Sequence, residues 1–95
     1  GCPLLNVAVE ADDTNVILRQ QAFNMLAQLK SSVSKLVENG IKNNQVKPDA
    51  DADFYSTIII ATLEGGIMMS KLERSDDAIT KTIKHLRTLA KSISV

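Results

Sequence analysis

Tryptophan is absent from this 95-residue chain, and phenylalanine and tyrosine together supply three residues. Without aromatic platforms for successive bases to stack on, single-stranded nucleic acid is not an expected partner. Net charge is absent as well. Eleven basic side chains balance eleven acidic ones, which leaves no general attraction to duplex DNA or to an anionic membrane. The single cysteine, Cys2, excludes an internal disulfide and a cysteine-rich metal site and fits a reducing compartment. No base or metal partner stands beside it in sequence, so it reads as a small apolar residue. The start GCPLLNVAVEADD lacks the basic opening and long apolar core of a signal peptide. No apolar run reaches the roughly 20 residues of a spanning helix, and the longest one is interrupted by Glu64. One histidine, one thiol and carboxylates placed mostly as helix caps supply no nucleophile, base and orienting group together, so no enzyme is expected. The acidic run from Asp49 to Asp53 lacks the glycine turn and distal glutamate of a calcium loop, so neither metal nor other cofactor is expected. These exclusions leave a soluble, cytoplasmic chain forming one small domain. A domain of this size buries only about 60–65% of the surface its unfolded form exposes, which makes a stabilising partner plausible on physical grounds.

What is present is helical periodicity. Leu4, Leu5, Ala8 and Val9 predict a short helix from Pro3 to about Ala11, with Pro3 suited to a first helical position. Asn15 then offers an N-cap for a long second helix. From Val16 to Asn39, the apolar residues Leu18, Ala22, Met25, Leu26, Leu29, Val33, Leu36 and Val37 share one face, opposite Gln20, Gln21, Asn24, Gln28, Ser31, Lys35 and Glu38. Gly40 is expected to close this helix in the left-handed conformation. A polar linker carrying Pro48 follows, and Asp51 is expected to cap a third helix running to Leu72. After Glu73 and Arg74, Ser75 is expected to cap a fourth, whose apolar set is Ile79, Thr82, Ile83, Leu86, Leu89, Ala90 and Ile93. No segment alternates like a strand, so the class is all-α.

The third helix is apolar on two opposite sides. One stripe holds Phe54, Ile58, Ala61, Gly65, Met68, Met69 and Leu72. The other holds Ile59, Ile60, Leu63, Gly66 and Ile67, and only Thr57, Glu64 and Lys71 form a polar strip between them. Single-faced neighbours cannot easily cover both stripes, so one is expected to meet a second copy of the chain. The two adjacent glycines each cost roughly 1 kcal/mol relative to Ala inside a helix, and close approach by another helix or a ligand would offset that. Two helices from each of two subunits would then form a four-helix bundle. Ile59, Leu63, Gly66, Ile67, Ile79, Ile83, Leu86, Ala90 and Ile93 are the expected dimer residues.

The order GCPLLN, VEADDTN, a long helix ending at Gly40, VKPDADAD, ATLEGGIMMSKL and a last helix resembles the C-terminal domain of the tetracycline-repressor (TetR) family of transcriptional regulators. The resemblance covers nearly the whole chain. It implies an all-α regulatory domain, with the last two helices forming a homodimer and a cavity for a small effector among the helices before them. The family's DNA-binding head, a three-helix unit with a helix-turn-helix, has no counterpart here, so DNA contact would belong to a part outside this sequence. The candidate effector residues are Met25, Leu29, Phe54, Ile58, Met68 and Met69, which suit a small apolar or amphipathic ligand. Glu64 either orients that ligand or joins Lys71 on a solvated strip. His85, Lys81, Lys84, Arg87 and Lys91 read as a solvated face. A rival reading fits the same residues: a helical interaction module that pairs through its last two helices and senses nothing. A closed apolar cavity would favour the sensor, and a filled core the module.

Overall fold

The computed structural model describes residues 16–95. They form three helices, α1 (Val16–Lys42), α2 (Ala52–Glu73) and α3 (Asp77–Ile93). The short helix expected over Pro3 to Ala11, the Asn15 cap and Cys2 lie outside the described residues. Among the described residues the class is all-helical, and extended pairing is confined to an isolated antiparallel bridge between Val46 and Ser94.

Gly40 does not end α1. It is helical and buried, and the helix continues to Lys42. The residue is needed for closeness rather than for a left-handed turn: a Cβ there would stand 2.5 Å from Cγ2 of Val46, which folds back onto it. The left-handed turn falls instead on Asn44, at φ 60°, a residue type that tolerates this conformation. The Gly40 carbonyl accepts from the Gln45 and Val46 amides at 2.8 and 3.0 Å, closing the helix end.

Asp51 caps α2 as expected, its Oδ1 accepting from the Phe54 amide at 3.1 Å. Such a cap contributes about 1 kcal/mol. At the other end Arg74 turns left-handed, and the Ser75 amide donates back to the Ser70 carbonyl at 3.1 Å. Ser75 also serves α3, accepting from the Asp77 amide at 3.1 Å, although the residue flanking the helix is Asp76, whose side chain makes no cap bond.

The three helices run antiparallel in one layer. Ser34 Oγ donates to the Ala52 carbonyl and Lys30 pairs with Asp53 at 3.4 Å, so the end of α1 meets the start of α2. On the other flank, Ser70 Oγ accepts from the Ile79 amide at 2.8 Å and Gly66 lies against Thr82. The Cα atoms span 45 × 31 × 14 Å, with a radius of gyration of 15.1 Å. A chain of this length packed around a central core would have a radius nearer roughly 12 Å. The core is accordingly thin: Ala22, Val37, Ile60 and Ala78 are its buried apolar members, and Ser56, at 0% exposure, is the most enclosed side chain.

A single layer has two broad faces, and helical geometry assigns residues to them. Antiparallel neighbours rotate in opposite senses about their contact, so residues that follow a facing pair turn to the same side. Gly66 and Thr82 face each other; Ile67 and Ile83 therefore share one broad face, and Gly65 and Lys81 share the other. By the same rule, the facing pair Lys30 and Asp53 sends Ser31 and Phe54 to the Gly65 face and Leu29 to the Ile67 face.

Candidate functional site

The flank of α2 that meets α1 leaves a groove between the two helices. Two adjoining hollows of about 380 and 330 Å³ share Leu26 and Lys30. One is lined further by Phe23, Ala27, Ser31, Ser34 and Asp53. The other continues along Thr57, Ile60, Ala61 and Glu64. The floor is apolar, and the Lys30–Asp53 pair crosses it where the hollows meet. Asp53 is well exposed, so this pair contributes little to stability and can be displaced cheaply by a competing polar group.

Glu64 belongs to the groove wall. It is half-buried toward α1, not on a solvated strip with the exposed Lys71. The polar strip of the sequence wheel is in fact the flank that α1 approaches: Thr57 and Glu64 are both turned to it.

The six residues expected to hold an effector are not brought together. Phe54, Ile58, Met68 and Met69 stand exposed along α2 beside the groove, on the Gly65 face. Met25 and Leu29 are each two residues, hence about 200°, from the groove residue Ala27, and they turn to the opposite face. None of the six lines either hollow. The groove residues Phe23, Ala27, Lys30, Ser31, Ser34 and Asp53 were not singled out from sequence. They sit at the margin of an amphipathic wheel, where size and polarity carry no common pattern; the opposite charges of Lys30 and Asp53 are the one usable signal.

The expected dimer residues are distributed more coherently. Ile59, Leu63, Ile67, Ile79, Ile83, Leu86 and Ala90 lie on or toward the Ile67 face, with Ile83 and Ala90 exposed and the others half-buried. Gly66 is buried, and its missing Cβ is accounted for within the protomer: an added Cβ would stand 2.8 Å from Thr82 Cβ and collide with its hydroxyl. Ile93 is engaged at the chain end, where its carbonyl accepts from the Lys47 amide at 2.8 Å. On α3 the Gly65 face is polar, presenting Lys81 and the exposed His85 and Thr88. The Asp77 carboxylate, bonded to Lys81 at 2.8 Å, raises the ammonium above its ordinary value, first through that hydrogen bond and then through its charge.

Among the described residues no three His, Cys, Asp or Glu gather in a way that could hold a metal ion, and no helix is long and apolar enough to cross a membrane.

Residues 1–86 match the model of the tetracyclin repressor-like C-terminal domain. The fold is similar to that of a TetR transcriptional regulator from Chloroflexus aurantiacus J-10-FL, with a TM-score of 0.93 and 33% identity over 99% of this chain and 48% of that one. It is likewise similar to a TetR-family transcriptional regulator from Cytophaga hutchinsonii, with a TM-score of 0.96 and 30% identity, covering 100% of this chain and 48% of that one. The chain thus spans about half the length of these solved relatives. No curated protein matches it. The chain belongs to the tetracyclin repressor-like C-terminal domain family.

Proposed function

We propose that this chain is the effector-sensing and homodimerising part of a cytoplasmic TetR-like transcriptional regulator whose DNA-binding head lies outside the sequence. The observation that carries the proposal is the unlikeness of the two broad faces. On the Ile67 face, apolar residues run across both α2 and α3, from Leu63 and Ile67 to Ile83 and Ala90. On the Gly65 face, α2 is apolar along Phe54, Ile58, Met68 and Met69, whereas α3 is polar. A pairing surface built from the last two helices needs both to be apolar on the same side, which selects the Ile67 face; two copies joined there make a four-helix bundle. The groove then serves a small amphipathic ligand, its body on Phe23, Leu26, Ala27, Ile60 and Ala61 and its polar end near Lys30, Asp53 or Glu64. The groove with its apolar floor supports the sensor reading over the module that binds nothing.

Light scattering of the chain and of Ile83→Glu tests this. The parent is expected at twice the protomer mass, and Ile83→Glu as a monomer that keeps its helical circular dichroism. A parent that is monomeric at every concentration and unfolds cooperatively overturns the pairing surface. Because Gly65 lies on the other face, a Gly65→Leu chain is expected to stay dimeric; a monomeric one would move the interface to the Gly65 face.

A further inference from the structure

Among the described residues, two pairs of lysine and aspartate differ in kind. On the solvated side of α3, Lys81 Nζ donates to the Asp77 carboxylate at 2.8 Å, a full hydrogen bond. Between α1 and α2, Lys30 Nζ and Asp53 Oδ1 stand 3.4 Å apart, beyond the roughly 2.7–2.9 Å of a charge-assisted hydrogen bond. The two partners also meet water differently: the Lys30 side chain is 35% exposed and that of Asp53 84%. The ammonium is drawn toward the groove while the carboxylate stays at its rim. Asp53 has its own reason to stay there, since it occupies the first turn of α2, where the helix dipole favours a negative charge with or without a partner. Lys30 has no comparable support. Its ammonium carries three donors, and taking a charged donor from water without a well-made hydrogen bond costs free energy that a better-placed acceptor would return.

Lys30 also stands where a ligand must pass. Of the described residues that line the two hollows, it is the single cation, and it belongs to both. Hydroxyl groups flank it, Ser31 in one hollow and Thr57 in the other, and each can donate to an anion. Glu64 lines the second hollow about two turns beyond Thr57, where its carboxylate repels a second anion.

We infer that the groove takes an amphipathic monocarboxylate, whose carboxylate replaces Asp53 on the Lys30 ammonium while its apolar body lies on Leu26, Ala27, Ile60 and Ala61. The inference rests on the groove being the one an effector enters, and it selects Lys30 among the three charged groups that could receive the polar end. A cationic ligand meets the Lys30 charge where the hollows join. A neutral one gains the apolar floor but leaves the ammonium as loosely held as before.

Decanoate, decanol and decyltrimethylammonium carry the same tail under a negative, a neutral and a positive head. Each is titrated into the chain by calorimetry below its micellar range, with amide nuclear magnetic resonance spectra to show where it sits. Decanoate is expected to bind about tenfold or more tightly than the other two, the scale of a hydrogen bond to a charged group, and to move the amide signals of Ala27 and Ala61. Lys30→Met is expected to remove that preference by weakening decanoate and not decanol, whose unchanged affinity shows that the groove is intact. Lys30→Arg should keep the preference, and Asp53→Asn should strengthen decanoate by removing its competitor. Equal affinity for the three heads, tighter binding of decanol or the trimethylammonium compound, or decanoate binding that survives Lys30→Met overturns the carboxylate assignment and leaves the sensor reading standing. So do signals that move at Ile67 and Ile83 instead, since the tail would then have settled on the pairing surface. Binding of none of the three removes the groove as a site for amphiphiles, and the sensor reading falls with this one.

Discussion

Gly65 and Gly66 are neighbours in sequence and opposites in circumstance. Beside Gly66 the side chain of Thr82 occupies the space a Cβ would need, whereas nothing lies within 4 Å of the position a Cβ would take on Gly65. Gly66 therefore belongs to the packing of the protomer, and Gly65 to a face that the protomer leaves open. The 100° between them separates the part of α2 that determines whether the chain folds from the part available to something else.

Substitutions can break or sharpen that contrast. The largest effect is expected at Gly66→Leu, where the new side chain must displace Thr82: overpacking costs about 1–3 kcal/mol, more than the roughly 1 kcal/mol a better helix former returns. Urea titration followed by circular dichroism should show a lower midpoint, and an unchanged midpoint would mean that α3 slides aside without cost. Gly65→Leu should do the reverse, raising the midpoint by up to about 1 kcal/mol of stability, because it gains helix propensity and meets nothing. If Gly65→Leu instead destabilises the chain, the open face is not open in solution. Smallest of all is Lys81→Met on the polar side of α3. It removes a fully solvated pair with Asp77 and should leave the melting temperature where it was; a clear fall would show that this side carries packing that the exposure of Lys81 does not suggest.

Much of the fold was legible. Long helices have a strong 3.6-residue signal, and caps act locally, so Asp51 and the break at Glu73 and Arg74 could be placed from a few residues. Gly40 could not. Glycine suits both a left-handed cap and a close contact, and what decides between them is Val46, six residues later and brought back only once the turn has formed. The bridge between Val46 and Ser94 was illegible for a related reason: backbone amides and carbonyls are the same at every position, so no side-chain pattern announces their pairing. For the site, the two stripes of α2 were visible, but the wheel of one helix does not say where its neighbours stand. Hydrophobicity alone groups Met25 and Leu29 with Leu26; geometry divides that broad apolar arc between a flank that helps form the groove and a face that turns away from it.

The layer is about as thick as one helix with its side chains. Every side chain in it is thus within one residue of either solvent or a docked neighbour, and the distinction between interior and surface is not a property of the chain alone. The same substitution at Ile83 or Ile58 should be nearly silent in an isolated protomer and severe once that face is occupied. For such a chain a mutational map acquired at one concentration, or without its ligand, describes a different molecule from the one acquired with both.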